Sequence, residues 1–460
     1  MNDKTKVVAE RRPAGFGGQL ATLVIPITMQ NLISAGVGAA DVFMLSFVNQ
    51  TAIAGVSLAS QLVFVHQLFL STIATGATML AAQYWGKRDT DTIEKILGIA
   101  LGVSLFVSLA FFILAFFFNT FFMGLFSTET DLIETGALYL ETASPMFLLT
   151  GFSQAYLCVK RSIERVRSAV AINSLSLLLN VFFNAIAIFG LFGFPKSGVY
   201  GVAAATVLSR LIEVLCCVID SLISKSVQIK PKNIFRFDDT VLFKDFVHYS
   251  LPVGGNYLVW GLGFTMYSLI MGRLGGDMAA ANAASSVVRS LVTVTAGGLA
   301  GGGGILLGKE MGQSLFDKAR KDAGRLCRAA FLCGIAGGLL VLATRPLVIS
   351  VMRLNESTKT LLGTMLFINA YYVIGKTINS TIIVGIFCAG GDSRFGLVCD
   401  AFTMWGFAVP LGMLAAFVFR FPLMAVYFIL FLDEFVKIPF IYRHYHQYGW
   451  LKNITRKEKS

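Results

Sequence analysis

Long apolar runs separated by short polar gaps dominate the chain. They lie near residues 18–46, 52–82, 95–117, 135–158, 168–192, 199–223, 245–271, 277–307, 324–344, 360–388, 395–418 and 422–442. Each approaches or exceeds the roughly 20 residues that a helix needs to cross a bilayer. The gaps hold turn formers and charges, as in Gly86-Lys87-Arg88-Asp89 and Pro231-Lys232-Asn233. The pattern predicts an all-α integral membrane protein with twelve transmembrane helices. A charged start (Lys4, Lys6, Arg11, Arg12) leads into an apolar stretch from Gln19 to Val48. That stretch is too long for the core of a signal peptide and reads as the first span.

The run pattern repeats. A shift of 226 residues places Pro26 on Pro252, Ala54 on Ala280, Ser60 on Ser286, Gly76 on Gly302, Leu80 on Leu306 and Gly86 on Gly312. Six helices per unit is an even number, so both halves insert the same way, related by a pseudo-two-fold axis along the membrane normal. The expected layout is a basic tail (1–17), an N-lobe of helices 1–6 (18–223), a linker (224–244), a C-lobe of helices 7–12 (245–443) and a second basic tail (444–460). Two facing lobes leave a central cleft, and rocking them exposes it alternately to either side. Architecture alone therefore points to transport.

Composition supports this and charge orients it. Of 460 residues, 55% are hydrophobic and 14% charged, against about 25% charged in soluble domains. The net charge of +12 could suggest a nucleic-acid partner, but its distribution says otherwise. Of 38 Lys and Arg, 29 fall in segments assigned to one side, six to the other, and three (Arg210, Arg289, Lys376) within spans. Positive charge accumulates on the cytoplasmic side, which puts both termini in the cytoplasm of a bacterial cell. Seven Cys, with no CxxC spacing, and four His without ligand spacing point to neither a disulfide framework nor a metal site. The Gly301–Gly304 run, with Gly297 and Gly298, is followed by no GK[ST], so no ATP-binding loop is expected in this chain. Close helix packing or a hinge is the reading there.

Ionisable groups inside a bilayer are costly and mark cavities or partners. Asp41 lies on helix 1 toward the outer end. Asn180 and Asn184, four residues apart on helix 5, share a face at similar depth. A carboxylate with two amides suits a proton or a small cation such as Na⁺; equally, the acid could reach water while the amides bond between helices. In the C-lobe, Arg289, Lys376, Asp433 and Glu434 form a charge set, with Lys437 one turn on. Lys376 is expected to pair with Glu434 or Asp433, as a fixed pair or a switch. Asn256, Asn379, Tyr257 and Trp260 are cleft candidates, the aromatics because their faces attract organic cations.

These residues carry a resemblance. The series Pro26…Gln30…Ala40-Asp41, then Asn180…Asn184…Phe189-Gly190, Gly193-Phe194-Pro195 and Gly198…Thr206, then Gly390-Gly391-Asp392, Asp400, Trp405 and Pro410 resembles the multidrug and toxic compound extrusion (MATE) transporters over about residues 18–450. The resemblance implies a secondary antiporter, without cofactor, exporting amphipathic and often cationic small molecules in exchange for H⁺ or Na⁺. It implies that Asp41 is the coupling acid, with Asn180, Asn184 and Thr206 beside it, Gln30 at the cleft, and a helix that bends at Pro26, where the missing N–H permits a kink. Many relatives carry Asp where Asn184 stands, which favours protonation of Asp41 over a Na⁺ site. A monomer is expected. Two other readings stand beside it. A lipid-linked or polysaccharide flippase would use Arg210, Arg289 and Lys376 as a cationic cleft. A membrane enzyme would have to rest on His66 and Ser60 alone.

Overall fold

The computed structural model describes residues 15–45, 47–224, 227–234, 239–352 and 354–456. Most of the first basic tail, Lys225, Arg236, Arg353, Lys457 and Lys459 lie outside the described residues. Twelve helical elements follow in order: α1 Phe16–Leu45, α2 Gln50–Gly86, α3 Thr90–Phe117, α4 in two pieces (Thr130–Ala143 and Pro145–Ser162), α5 Val166–Phe189 and α6 Gly198–Ile223. The second set is α7 Thr240–Arg273, α8 Gly276–Gly312, α9 Phe316–Val351, α10 Glu356–Gly390, α11 Ser393–Val418, and α12 in two pieces (Leu423–Leu430 and Asp433–His446). Among the described residues, nine are long and apolar enough to cross a membrane unbroken. The other three are α7 and the interrupted α4 and α12.

Local chemistry explains the ends. Side-chain oxygens of Asn49, Asp89, Asp239 and Asn355 accept the backbone N–H three residues on and cap α2, α3, α7 and α10. Gly190 and Gly391, at φ 71° and 78°, end α5 and α10 in a conformation that favours glycine. Pro145 opens the second piece of α4. Several helices outrun their apolar segments: α9 begins at Phe316, eight residues before the run at 324, because Asp317, Lys318, Arg320 and Lys321 form a solvated first two turns. Likewise α7 begins at Thr240, inside the expected linker, and α12 extends to His446, inside the expected tail. A short helix, Pro231–Ile234, occupies the linker itself.

Reciprocal contacts at the lobe interface reveal the two-fold. Gly86 of α2 abuts the Lys309 carbonyl of α8, and Gly312 of α8 abuts the Gln83 carbonyl of α2. Gly76 meets Ser250 of α7, and Gly302 meets Val24 of α1; Gly254 meets Thr72, and Gly298 meets Thr28. In every pair, the shift of 226 converts one contact into the other. Residue i touching j while j touches i is the mark of a two-fold interface. It also explains the glycines of α8: a Cβ at Gly298 or Gly302 would clash with α1. The expected close-packing role of this stretch is thus seen directly.

All these contacts lie toward one end of the bundle, here called basal, where α2 ends and α9 starts. The lobes are therefore closed basally. The C-terminal segment reinforces the closure. Fully buried Gln83 donates to the carbonyls of Ala389 (2.7 Å) and Lys452 (3.1 Å) and accepts from the Ile454 N–H (2.8 Å). Arg456 pairs with Asp245 at 2.6 Å, Lys309 with Glu164 at 2.8 Å, and the Trp450 side chain is buried. Residues 450–456 are thus a strap under both lobes, and not merely a charged tail. Gly312→Val is expected to pry α2 from α8 and favour a basally open state. Alkylation of Cys388, a thiol on the cavity wall, by a polar maleimide added on the basal face should rise about tenfold, a shift near 1.4 kcal/mol. Mass spectrometry of the Cys388 peptide reads it.

Candidate functional site

A cavity of about 730 Å³ lies between the lobes, mostly against the N-lobe. Its wall runs along α2 from Ser60 to Met79 and along α1 from Ile27 to Asp41, closed across by Tyr257 of α7, the glycines of α8 and Cys388. Its polar groups form two connected sets.

The distal set holds Asp41. The Asn184 amide donates to Asp41 Oδ1 at 2.9 Å and lies 3.4 Å from Asn180 Oδ1, and Asn180 donates to Thr206 Oγ1 at 3.2 Å. The Thr206 hydroxyl is satisfied by the Val202 carbonyl. Helix spacing makes this possible: residues 180 and 184 stack on one face of α5, and α6 packs alongside. Asn184 Oδ1 is buried without a hydrogen-bond partner. A carboxylate offers no donor, whereas a carboxylic acid does. The Asp41 carboxyl thus accepts from the Asn184 amide, whose own oxygen is an unused acceptor.

The deeper set was not foreseen as a unit. Gln30 donates to Asn173 (2.9 Å), Asn173 to Glu213 (2.7 Å), and Arg210 to the other oxygen of Glu213 (2.7 Å). Arg161 donates to Gln30 at 3.4 Å. Glu213 is 1% exposed and sits behind the arginines. By sequence Arg161 falls among the 29 charges of one side, because its place near the end of an apolar run resembles an interfacial arginine. For Glu213 the signal was its i,i+3 spacing from Arg210 on α6, which forms the pair.

The C-lobe charges cluster away from the cavity wall. Buried Lys437 lies 2.8 Å from Asp400 and 3.2 Å from both Asp433 and Glu434, while Lys376 lies 3.3 Å from Glu434 and over the Trp260 ring at 5.1 Å. The expected Lys376–Glu434 pair is present, but Lys437 and not Lys376 is the hub. Lys437 had been counted as a topology charge. Arg289 does not join the cluster. It stands over Phe431 (4.7 Å), Phe264 and Tyr372 and donates to the Tyr427 hydroxyl at 3.4 Å. Aromatic faces stabilise a desolvated cation by about 2 kcal/mol.

This clustering corrects three cleft expectations. Asn379 donates to the carbonyl and carboxylate of Glu434, Asn256 to Asp400 at 2.6 Å, and Trp260 packs on Phe264 and Lys376. None of the three lines the cavity, because the buried carboxylates take up the amides. Gln30 and Tyr257 do line it, Tyr257 with its hydroxyl 3.3 Å from Thr75 of the other lobe. Pro26 sits inside α1, which continues through it as one helix. His66 meets Ser108 at 2.9 Å among Phe111 and Phe147, while the Ser60 hydroxyl is bound to its own helix.

Comparison with known proteins identifies this architecture. The MatE family model matches twice, at residues 26–186 and 252–414. The chain belongs to the MatE family. The two matches begin 226 residues apart, the shift found in the sequence and in the lobe contacts. The family also settles the class: this is a membrane transporter and not an enzyme. Similar curated proteins include the uncharacterized transporter YisQ of Bacillus subtilis, 24% identical over 97% of this chain and 98% of its own. The probable multidrug resistance protein NorM of Halalkalibacterium halodurans is 23% identical over 87% of each chain. The multidrug resistance protein PmpM of Pseudomonas aeruginosa is 22% identical over 86% of this chain and 83% of its own. Among solved structures, a MATE P26A mutant superposes with a TM-score of 0.86 at 16% identity, covering 95% of this chain and 96% of its own. That likeness carries the fold: twelve MatE helices in two lobes.

Proposed function

We propose that this MatE protein is a secondary antiporter that exports amphipathic, positively charged organic compounds in exchange for H⁺, with Asp41 as the exchanging group. The observation that carries this reading is Asp41 on the cavity wall, held by Asn184 and backed by Asn180 and Thr206. As a carboxylate it attracts a cation; as an acid it does not, so proton and substrate compete. Asn184 turns its NH₂ to the carboxylate, where a Na⁺ ligand would turn its oxygen. Its idle Oδ1 suits a protonated partner.

The basal end, which carries most of the Lys and Arg, faces the cytoplasm of the bacterial cell, so this basally closed form is the outward-facing one. Asp41 takes up H⁺ from outside and releases substrate. The Asp41–Asn184 bond between α1 and α5 then changes, and Pro26, which withholds a hydrogen bond from Thr22, gives α1 a place to bend. The lobes rock, Asp41 loses its proton inside, and substrate binds. A single chain contains the whole cavity, which supports action as a monomer.

The flippase reading is not favoured. Of the three cations named for it, Arg289 and Lys376 are held inside the C-lobe, and Arg210, on the cavity wall, is paired with Glu213. The names of NorM and PmpM point the same way. The test is ethidium efflux from proteoliposomes, with pH and Na⁺ gradients imposed separately. Efflux is expected with the pH gradient alone; efflux with the Na⁺ gradient alone would refute H⁺ exchange.

A further inference from the structure

The deeper polar set raises a question that Asp41 does not answer: two guanidinium groups reach a cavity with one carboxylate between them. Arg210 has Glu213 at 2.7 Å. Arg161 has no carboxylate within 4 Å among the described residues, only the amide oxygen of Gln30 at 3.4 Å. A guanidinium that faces a membrane cavity without a counter-charge is costly. Glu213 makes its direct ion pair with Arg210 and lies beyond ion-pair distance of Arg161. Its oxygens are turned to Asn173 and Arg210, and its side chain is fully buried behind them, so one acid stands against two guanidinium groups. The cavity therefore meets one uncompensated positive charge at this depth, on a planar group whose forked donors fit an oxyanion.

We infer that Arg161, supported by Arg210, forms an anion subsite that receives the carboxylate of a zwitterionic amphipathic substrate. This deepens the proposed function and rests on its reading that the cavity carries substrate. Gln30 bonds to Arg161, and Asp41 lies eleven residues further along α1, about 16 Å at 1.5 Å per residue. A substrate with a cationic end at Asp41 and an anionic end at Arg161 spans the cavity. Protonation of Asp41 then removes one of two contacts and weakens binding enough for release, so the Arg161 contact sets selectivity while Asp41 sets coupling. The Gln30–Asn173–Glu213 relay holds Arg161 and Arg210 in one frame.

Rhodamine B and its ethyl ester provide the test. They share the cationic ring system, and only the first bears a carboxylate at neutral pH. Binding to purified full-length protein is followed by fluorescence anisotropy in detergent without any gradient. Wild-type protein is expected to bind rhodamine B about tenfold more tightly, the scale of one charge-assisted hydrogen bond. Arg161→Gln is expected to bring the ratio to about one, and Arg161→Lys to restore part of it. Ester bound as tightly as rhodamine B by the wild type would overturn the subsite and leave the cavity reading standing. Neither dye bound would overturn both. An undiminished ratio in Arg161→Gln would place the carboxylate elsewhere. Where Arg161→Gln does not fold, Arg161→Lys carries the comparison, and a ratio unchanged from wild type there would overturn the subsite.

Discussion

Asp41→Asn is expected to abolish pH-gradient-driven efflux while leaving a folded protein. Asn has the shape of Asp and still presents an oxygen to the Asn184 amide, the 2.9 Å contact that joins α1 to α5. Stability should change by no more than about 1 kcal/mol. What disappears is the change of charge. A neutral side chain attracts the substrate cation equally weakly on both sides of the membrane. A ligand or proton shifts a conformational equilibrium only by its differential interaction with the two states. Without titration, H⁺ has no handle on the cycle. Efflux from proteoliposomes should fall to the leak rate, and thermal unfolding should match wild type. Asn184→Asp acts in the opposite sense, adding a second acid within reach of Asp41. It is expected to give measurable Na⁺-driven efflux, since Na⁺ sites favour charge.

The second large effect is expected at Lys437, with stability as the readout. Lys437 is fully buried and lies within ion-pair distance of Asp400, Asp433 and Glu434. Lys437→Met leaves three carboxylates to Lys376 alone. Breaking a buried pair by removing one partner costs about 3–5 kcal/mol, because the other charge is left without compensation. Lys437→Met should therefore accumulate poorly and unfold at markedly lower temperature in detergent. Lys437→Met with Asp400→Asn removes one charge of each sign and should recover part of the loss. Lys376→Met is milder: Lys376 has one ion pair at 3.3 Å and a partly exposed side chain over Trp260. Wild-type transport by Lys376→Met would show that the cluster is scaffold and that coupling rests in the N-lobe. Equal destabilisation by Lys376→Met and Lys437→Met would contradict Lys437 as hub.

The asymmetry between lobes explains what the sequence could and could not show. Helix number and the two-fold were legible because they depend on run length and a fixed shift, which need no tertiary contacts. The same 226 residues that align Gly86 with Gly312 in sequence bring each against the other's helix in space. The Asp41 set was legible too, since Asn180 and Asn184 share a face by helix geometry alone. The charges near span ends were not. Arg161 and Lys437 have the same local sequence character as residues that reach the membrane surface. Only packing shows that one lines the cavity and the other joins three acids. Asn256 and Asn379 were assigned to the cleft as polar residues in apolar helices. Burial of Asp400 and Glu434 drew them inward instead, because a buried carboxylate needs donors. The strap at 450–456 was hidden for a related reason: its hydrogen bonds to Gly312, Asp245 and Gln83 reach 141, 211 and 371 positions back along the chain, and its composition resembles a solvated tail.

The central claim is that proton and substrate exchange at Asp41. Substrate-induced proton release from purified protein in weakly buffered detergent solution tests it most directly. The protein is held at a pH where Asp41 is partly protonated and titrated with ethidium while a pH dye records H⁺. The account predicts proton release that rises with ethidium and saturates with binding in the wild type, and none in Asp41→Asn. Equal release by both proteins would contradict it.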